Sequence, residues 1–295
     1  MAKYKKILVA YDGSESAKNA LAVSVELAKQ DNSWIKVLDV VTPYNGEATL
    51  TDGSNIKKTS VDSAEELFAG ARAIADKEGI QILTALAQGE PFQQILAIAE
   101  DEDCDLIVMG RQGISHFERE LMGSVTARVI GHTTRNVLVV PENYTWNGKW
   151  ESILLAMDGS PNCATANDVA LEVAGQRSVR IAALTVIKTN ISNESAAFSQ
   201  AATRKIEMKA KSIVNELKER AAVMSIDAVA LVKHGEPHQE IIALAAELGV
   251  AFIVMCTHGK TGIKRLLMGS VTQRTIGHAD CPVLVVPNRD SCEMK

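Results

Sequence analysis

The chain has 295 residues, of which 46% are hydrophobic and 23% charged, as expected of a globular protein long enough for two domains. Its formal net charge of −5 argues against a general nucleic-acid-binding protein, and no basic run favours an anionic membrane surface. No segment approaches the roughly 18 apolar residues of a membrane span, and the first apolar run is too short for a signal peptide. We therefore expect a cytoplasmic protein with neither nucleic acid nor membrane as a partner.

Short apolar runs alternate with amphipathic stretches along the first half of the chain. Buried strands are predicted at 7–11, 34–41, 80–87, 105–110 and 136–141, and helices at 15–30, 61–78, from Pro91 onward and at 123–133. The polar stretch 42–60 contains Pro43, Gly46 and Gly53 and is interpreted as a mobile loop. This alternation predicts an α/β domain with a doubly wound, five-stranded parallel sheet flanked by helices.

The second half of the chain repeats the first at a constant offset. Asp12 matches Asp158, where 158 − 12 = 146, and the same shift carries the VLVVP run at 137–141 onto the one at 283–287. A repeat unit of this length folds as a domain of its own rather than as a solenoid module. The sequence therefore predicts two tandem domains, 1–145 and 150–290, which can pair as an intramolecular pseudo-dimer and then pair again as a homodimer.

Two features lie where strands of the predicted sheet end. Asp12 closes the first strand, and a glycine-spaced stretch begins as the fourth strand ends and finishes where the next helix begins. Its marked positions are Gly110, Gly113, Gly123 and Ser124. Glycines let the backbone approach a ligand closely, and the exposed N–H groups of a helix start favour phosphate. Because ligands of open parallel sheets bind at the carboxyl ends of the strands, this edge is the predicted binding site.

The Asp at the first strand end and the spacing G-x2-G-x9-G followed by Ser resemble the nucleotide-binding branch of the universal stress protein family, over both halves of the chain. The resemblance implies a Rossmann-like fold and a stress-response or signalling protein that binds ATP or AMP. In the first domain it implies nucleotide contacts from Asp12, Val40, Gly110, Gly113, Gly123, Ser124, Val125 and Thr126. In the second domain the matching positions are Asp158, Val186, Gly259, Gly269, Ser270, Val271 and Thr272.

Other functions stay open beside nucleotide binding. The glycines taken alone are also explained as strand terminators. An ATP-using enzyme is a second hypothesis, but no pair of residues repeats as base and phosphate activator, so we expect slow hydrolysis at most and assign no catalytic residue. A nucleotide-free interaction scaffold is the third. Mg²⁺ can accompany ATP, yet the sequence offers no carboxylate cage for it and no metal-ligand spacing of Cys and His.

The two predicted sites differ most at one position, where Cys256 replaces the first glycine of the motif. We interpret Cys256 as a small buried thiol and the five cysteines as reduced, because none has C-x-x-C spacing. The charges of the two loops favour the second site instead, because positive charge attracts phosphate. The first loop carries Glu118 and Glu120. The second loop carries Lys260, Lys264 and Arg265. Contact-range geometry outweighs screened loop charge, so we expect the first site to bind nucleotide better.

Overall fold

The computed structural model describes residues 4–42, 53–113, 122–146, 150–188, 196–259 and 268–287. The chain forms two compact units, Ala2–Trp146 and Asn147–Lys295, which are called the first and the second domain. Both are α/β domains with a parallel five-stranded sheet, which confirms the predicted fold class. Of the helices within these ranges, none is long and apolar enough to cross a membrane. The tail that follows Pro287 lies outside the described residues.

The first domain alternates strands and helices along the chain. Its strands are β1 (Lys6–Ala10), β2 (Trp34–Val41), β3 (Ile82–Gln88), β4 (Leu106–Gly110) and β5 (Asn136–Val140). Its helices are α1 (Glu15–Asp31), α2 (Gly53–Asp76), α3 (Pro91–Asp101) and α4 (Ser124–His132). The strand order is β3-β2-β1-β4-β5 with parallel pairing, and the strand order therefore reverses between β1 and β4.

The second domain repeats this plan. Its strands are β6 (Ser152–Ala156), β7 (Arg180–Ile187), β8 (Ala228–His234), β9 (Ile253–Cys256) and β10 (Val283–Val286). Its helices are α5 (Ala164–Arg177), α6 (Ala196–Val223), α7 (Pro237–Leu248) and α8 (Ser270–His278), and a short 3-10 helix, Pro161–Cys163, precedes α5. The strand order is β10-β9-β6-β7-β8, so the reversal lies between β6 and β9.

The core of each sheet consists of central strands that are apolar on both faces. Ile7, Leu8 and Val9 of β1 are fully buried, because helices cover both faces of a parallel sheet. In the first domain α1 packs beside α2, and α3 packs beside α4. This rigid arrangement places the ends of β1 and β4, and the starts of α1 and α4, at one edge of the sheet, which is the switch point of a doubly wound fold.

One predicted element is wrong in extent. The stretch 42–60 was expected to be a loop, but α2 begins at Gly53, eight residues before the predicted start of the helix at 61. The breakers Pro43 and Gly46 lie outside the described residues and do not belong to α2. Gly53 stands at the first position of α2, so it does not interrupt the helical hydrogen bonds that follow it.

Candidate functional site

The carboxylate of Asp12 is fixed by the start of α1. Its Oδ1 accepts hydrogen bonds from the backbone N–H of Ser14, at 3.0 Å, and from the Ser14 hydroxyl, at 2.6 Å. Ser14 is also the N-cap of α1 and accepts a hydrogen bond from the N–H of Ala17. Capping and orientation therefore come from the same two residues, and the second carboxylate oxygen of Asp12 takes no part in these hydrogen bonds.

That second oxygen lies against the glycine turn that follows β4. A Cβ on Gly113 would lie 2.5 Å from Asp12 Oδ2, so any other residue there would displace the carboxylate. A Cβ on Gly110 would lie 2.9 Å from the backbone carbonyl carbon of Ser16, and the Ser16 hydroxyl donates to the Gln112 carbonyl. The turn of residues 110–113 is therefore pressed against the start of α1 at both of its glycines.

The start of α4 holds the other side of the turn. The N–H of Gly123 donates to the Arg111 carbonyl at 2.9 Å, and the buried Thr126 hydroxyl donates to the Gly110 carbonyl at 3.0 Å. The Thr126 hydroxyl proton is thus used within the turn. The first N–H groups of α4 lack intrahelical acceptors, and they carry the positive end of the helix dipole.

Strand β2 contributes a backbone edge to the same site. The pairing of β1 with β2 ends at Ala10 and Leu38, and the N–H of Tyr11 donates to the Leu38 carbonyl, but β2 continues to Val41. Alternation along a strand puts the backbone groups of Val40 on the side of Leu38, beyond the end of β1. Val40 therefore presents backbone polar groups toward the switch point, and its N–H donates to the Asp39 carboxylate.

These elements enclose a cavity of about 630 Å³ in the first domain, within the range of small-molecule sites. Eight residues predicted as first-domain contacts line it together: Asp12, Val40, Gly110, Gly113, Gly123, Ser124, Val125 and Thr126. Their role in ligand binding remains a prediction. Within the described ranges, no cluster of three His, Cys, Asp or Glu side chains is placed to hold a metal ion.

The cavity-lining residues that sequence reasoning missed include two titratable side chains, Tyr11 and Asp39. Burial raises the pKa of the Asp39 carboxyl, the hydrogen bond from Val40 opposes this rise, and the nearby Asp12 charge adds to it. Burial likewise raises the pKa of Tyr11, mainly by desolvation. Both residues adjoin residues that were identified, Asp12 and Val40, so their positions at strand ends were the available signal.

The second domain reproduces the turn but not the walls of the site. Asp158 Oδ1 accepts the N–H of Ser160 at 2.8 Å, and a Cβ on Gly259 would collide with Asp158 Oδ2. The N–H of Gly269 donates to the Thr257 carbonyl at 2.8 Å, and the Thr272 hydroxyl donates to the Cys256 carbonyl at 2.9 Å. Ser270 and Val271 open α8, and Val186 lies in β7, one residue after Thr185, which stands where β2 has Asp39.

Cys256 is not a free thiol. It forms a disulfide with Cys163, with the two Cα atoms 5.3 Å apart, so the expectation of reduced cysteines is wrong for this pair. Strands β6 and β9 are neighbours in the sheet, so the end of β9 lies beside the segment that follows β6. Cys104 and Cys281 are free thiols. Cys292 and the contrasting loop charges, including Glu118 and Lys260, lie outside the described residues.

Comparisons with known proteins agree with the tandem architecture. The sequence model described as "Universal stress protein family" matches residues 3–141 and again 149–287. The universal stress protein MJ0531 of Methanocaldococcus jannaschii is 32% identical over 139 residues, which cover 46% of this chain and 82% of that protein. Universal stress protein YxiE of Bacillus subtilis is 31% identical over 150 residues, which cover 46% of this chain and 99% of that protein.

A solved structure matches the chain over nearly its whole length. The crystal structure of a universal stress protein from Archaeoglobus fulgidus covers 96% of this chain and 96% of its own, with a TM-score of 0.73 and 21% sequence identity. At that identity the likeness establishes the fold alone. The family model, by contrast, matches the amino-acid sequence itself, once in each domain, and these matches carry the family assignment.

Proposed function

Because the chain belongs to the universal stress protein family, we propose that it is a stress-response protein whose first domain binds an adenine nucleotide, ATP or AMP, at the ends of β1 and β4. The observation that supports this most is the cavity of about 630 Å³ at the switch point, with an acceptor carboxylate, an open strand edge and a glycine turn on its walls. A single adenine nucleotide has a base, a ribose and phosphates that can use these three walls together.

Each wall suits one part of the nucleotide. The backbone of Val40, beyond the end of β1, offers a carbonyl to the amino group of adenine. Asp12 Oδ2, beside Gly113, offers an acceptor to the ribose hydroxyls or the base. The glycine turn and the first N–H groups of α4 suit the phosphates, because a helix start favours negative charge and glycine admits close approach.

Among the described residues that line the cavity, no group is placed as a catalytic base beside the phosphates. Its acidic groups, Asp12 and Asp39, lie at the ends of β1 and β2 rather than at the start of α4, where phosphate would bind. Mg²⁺ would accompany ATP through the phosphate oxygens, since divalent magnesium commonly uses few protein ligands beside its phosphates and waters. We therefore propose nucleotide sensing, with the bound state rather than a reaction product as the output.

Calorimetric titration of the purified protein with ATP and with AMP tests the proposal. Gly123→Val fills the gap between α4 and the glycine turn, where a Cβ would already contact the Arg111 carbonyl at 3.5 Å, and should weaken the tighter site at least tenfold. Gly269→Val is the matched variant of the second domain and should leave that site unchanged. Mass spectrometry of nucleotide released from freshly purified protein identifies the natural ligand.

Two outcomes would overturn the proposal. One is the absence of heat with either nucleotide and of any nucleotide released on denaturation. The other is tight binding that survives Gly123→Val and is lost with Gly269→Val, which would transfer the better site to the second domain. Circular dichroism of both variants controls for misfolding, since a variant that has lost its helices cannot report on the site.

A further inference from the structure

A pair of cysteines occupies the floor of the second domain's strand-end site. With the offset of 146, Cys163 takes the place of Ala17 and Cys256 that of Gly110, and both of those first-domain residues line its cavity. The two cysteines are joined as a disulfide. We propose that Cys163 and Cys256 are a reversible thiol–disulfide site that controls nucleotide binding in the second domain, with the disulfide as the binding form. This inference rests on the proposed function, extended to the second domain.

Both sulfur atoms contact the segments that match the first-domain site. The Sγ of Cys163 lies 3.3 Å from Asp158 Oδ1, the carboxylate oxygen that also accepts the N–H of Ser160. The Sγ of Cys256 lies 3.3 Å from the carbonyl oxygen of His258, directly before Gly259 in the turn. A change at either sulfur therefore acts on the matching carboxylate and on the matching glycine turn without an intervening residue.

The disulfide keeps the sulfur atoms out of the site. Only 2% of Cys163 and 7% of Cys256 is exposed, so the bonded sulfurs fill the space between the start of the helix and the strand end. Two thiols need more room than a disulfide, because non-bonded sulfurs must separate to van der Waals contact. Reduction therefore pushes a thiol toward the strand-end edge or shifts the segment that carries Asp158.

Reduction also changes the hydrogen bonding of Asp158. A Cys163 thiol is a donor that a disulfide sulfur is not, and Asp158 Oδ1 lies within its reach at 3.3 Å. A thiol that donates to Oδ1 weakens the negative charge of the carboxylate whose other oxygen, Oδ2, matches the proposed acceptor Asp12 Oδ2. Crowding and this loss of acceptor strength act in the same direction, so the reduced form is expected to bind nucleotide more weakly.

Formation of the disulfide from two thiols releases two electrons and two protons, and a small-molecule disulfide accepts them. The thiolate of one cysteine attacks the small disulfide and expels one small thiol, and the other cysteine then attacks the mixed disulfide and expels the second.

The test compares two redox states of the wild-type chain. One sample is equilibrated with glutathione disulfide and the other with a phosphine reductant, and each is alkylated and digested to assign Cys163 and Cys256 by mass spectrometry. ATP titration should then show two sites in the oxidised sample, and in the reduced sample one site together with a second that is at least tenfold weaker. The Gly123→Val background isolates the second site.

The double variant C163A/C256G is the matched control, because it installs the two residues of the first domain. It should bind ATP in the second domain equally with oxidant and with reductant. Suppose that this variant binds ATP in the second domain, and that the wild-type second site binds ATP equally well in both redox states or more tightly when reduced. This inference then fails and the proposed function stands. If no form binds in the second domain, both fail for that domain, and the Gly123→Val comparison still tests the first. The inference would also be overturned if Cys163 and Cys256 were alkylated in the sample equilibrated with glutathione disulfide, because this would show that they form no disulfide there.

Discussion

The strand ends of the two domains share a backbone and differ in the side chains set against it. In both, a threonine hydroxyl donates to the last carbonyl of the fourth strand, and the glycine before α4 or α8 donates to the turn. The lining positions that differ include Tyr11, Ala17, Asp39 and Gly110 of the first domain, which are Met157, Cys163, Thr185 and Cys256 in the second. The turn is therefore the same in the two domains, whereas the side chains that a ligand would contact differ.

The difference shows which residues serve the fold and which serve the ligand. Thr126 and Thr272 are both buried, and each closes its turn with one hydrogen bond. In contrast, the Thr185 hydroxyl donates to the Met157 carbonyl at 3.0 Å, whereas Asp39 brings a carboxyl group into the first cavity. A feature present in both domains is therefore a requirement of the turn, and a feature of one domain is a candidate for specificity.

The largest effect is expected where the first domain is made more like the second. In Gly110→Ala, the new Cβ would lie 2.9 Å from the Ser16 carbonyl carbon, which is backbone and cannot rotate away. We expect a loss of about 1–3 kcal/mol of stability through overpacking, and loss of tight ATP binding. Urea unfolding and calorimetry measure the two effects.

Gly70→Ala is the control for this substitution. Gly70 lies in the exposed interior of α2, where a Cβ would have no contact closer than 4.0 Å, so alanine should stabilise α2 by up to about 1 kcal/mol. If Gly110→Ala lowers neither the free energy of unfolding nor the affinity for ATP, as expected of Gly70→Ala, then the glycine turn does not pack closely against α1.

The next effect separates the two aspartates. Asp12→Asn keeps an oxygen for the Ser14 N–H but replaces the second oxygen, beside Gly113, with an amide donor. Loss of one charged acceptor, worth about 1.5–3 kcal/mol, predicts about 10- to 100-fold weaker ATP binding in the first domain. Asp158→Asn should leave that tight site untouched. Equal losses in the two variants, seen by calorimetry, would show that the domains do not bind independently.

A smaller effect should be the same in both domains. Thr126→Val and Thr272→Val each leave a strand-end carbonyl without its hydroxyl donor, and we expect a loss of about 1–2 kcal/mol in either case. Hydrogen exchange of peptides from each domain reports the local opening free energy separately. A difference of more than about 1 kcal/mol between the variants would contradict a shared structural role of the two threonines.

The parts of the site that sequence predicted are those carried by short-range patterns. Asp12 and the glycine turn each adjoin a buried strand, and the offset of 146 repeats them, so the strand-end edge follows from local pattern and the parallel fold. The cysteine pair spans 93 residues of sequence and is brought together only by the adjacency of β6 and β9. The spacing of the cysteines in the sequence does not show that β6 and β9 are neighbours, so the pairing of Cys163 with Cys256 could not be predicted from it.

Asp39 was missed for a different reason. The resemblance implied a contact from Val40 and none from Asp39, and alternation along a strand puts the two side chains on opposite sides. The strand, however, continues beyond the pairing of Ala10 with Leu38, and past that point both residues face the switch point. The length of one strand relative to its neighbour is a tertiary property, and the sequence of β2 alone does not contain it.

The smallest effect concerns pH and distinguishes the domains through Asp39, which is Thr185 in the second. Burial holds the pKa of Asp39 above its ordinary value, so the folded state binds this proton more tightly than the unfolded state does. The contribution to stability is therefore fully present below the unfolded pKa and is lost as pH rises through the folded pKa.

Asp39→Asn and Asp39→Thr should both flatten this decline in the first domain. Hydrogen exchange at several pH values between 4 and 7 measures it, with peptides of the second domain as the internal reference. The two variants differ in shape but share the loss of the carboxyl group, so a decline that persists in both would assign the pH dependence to another group.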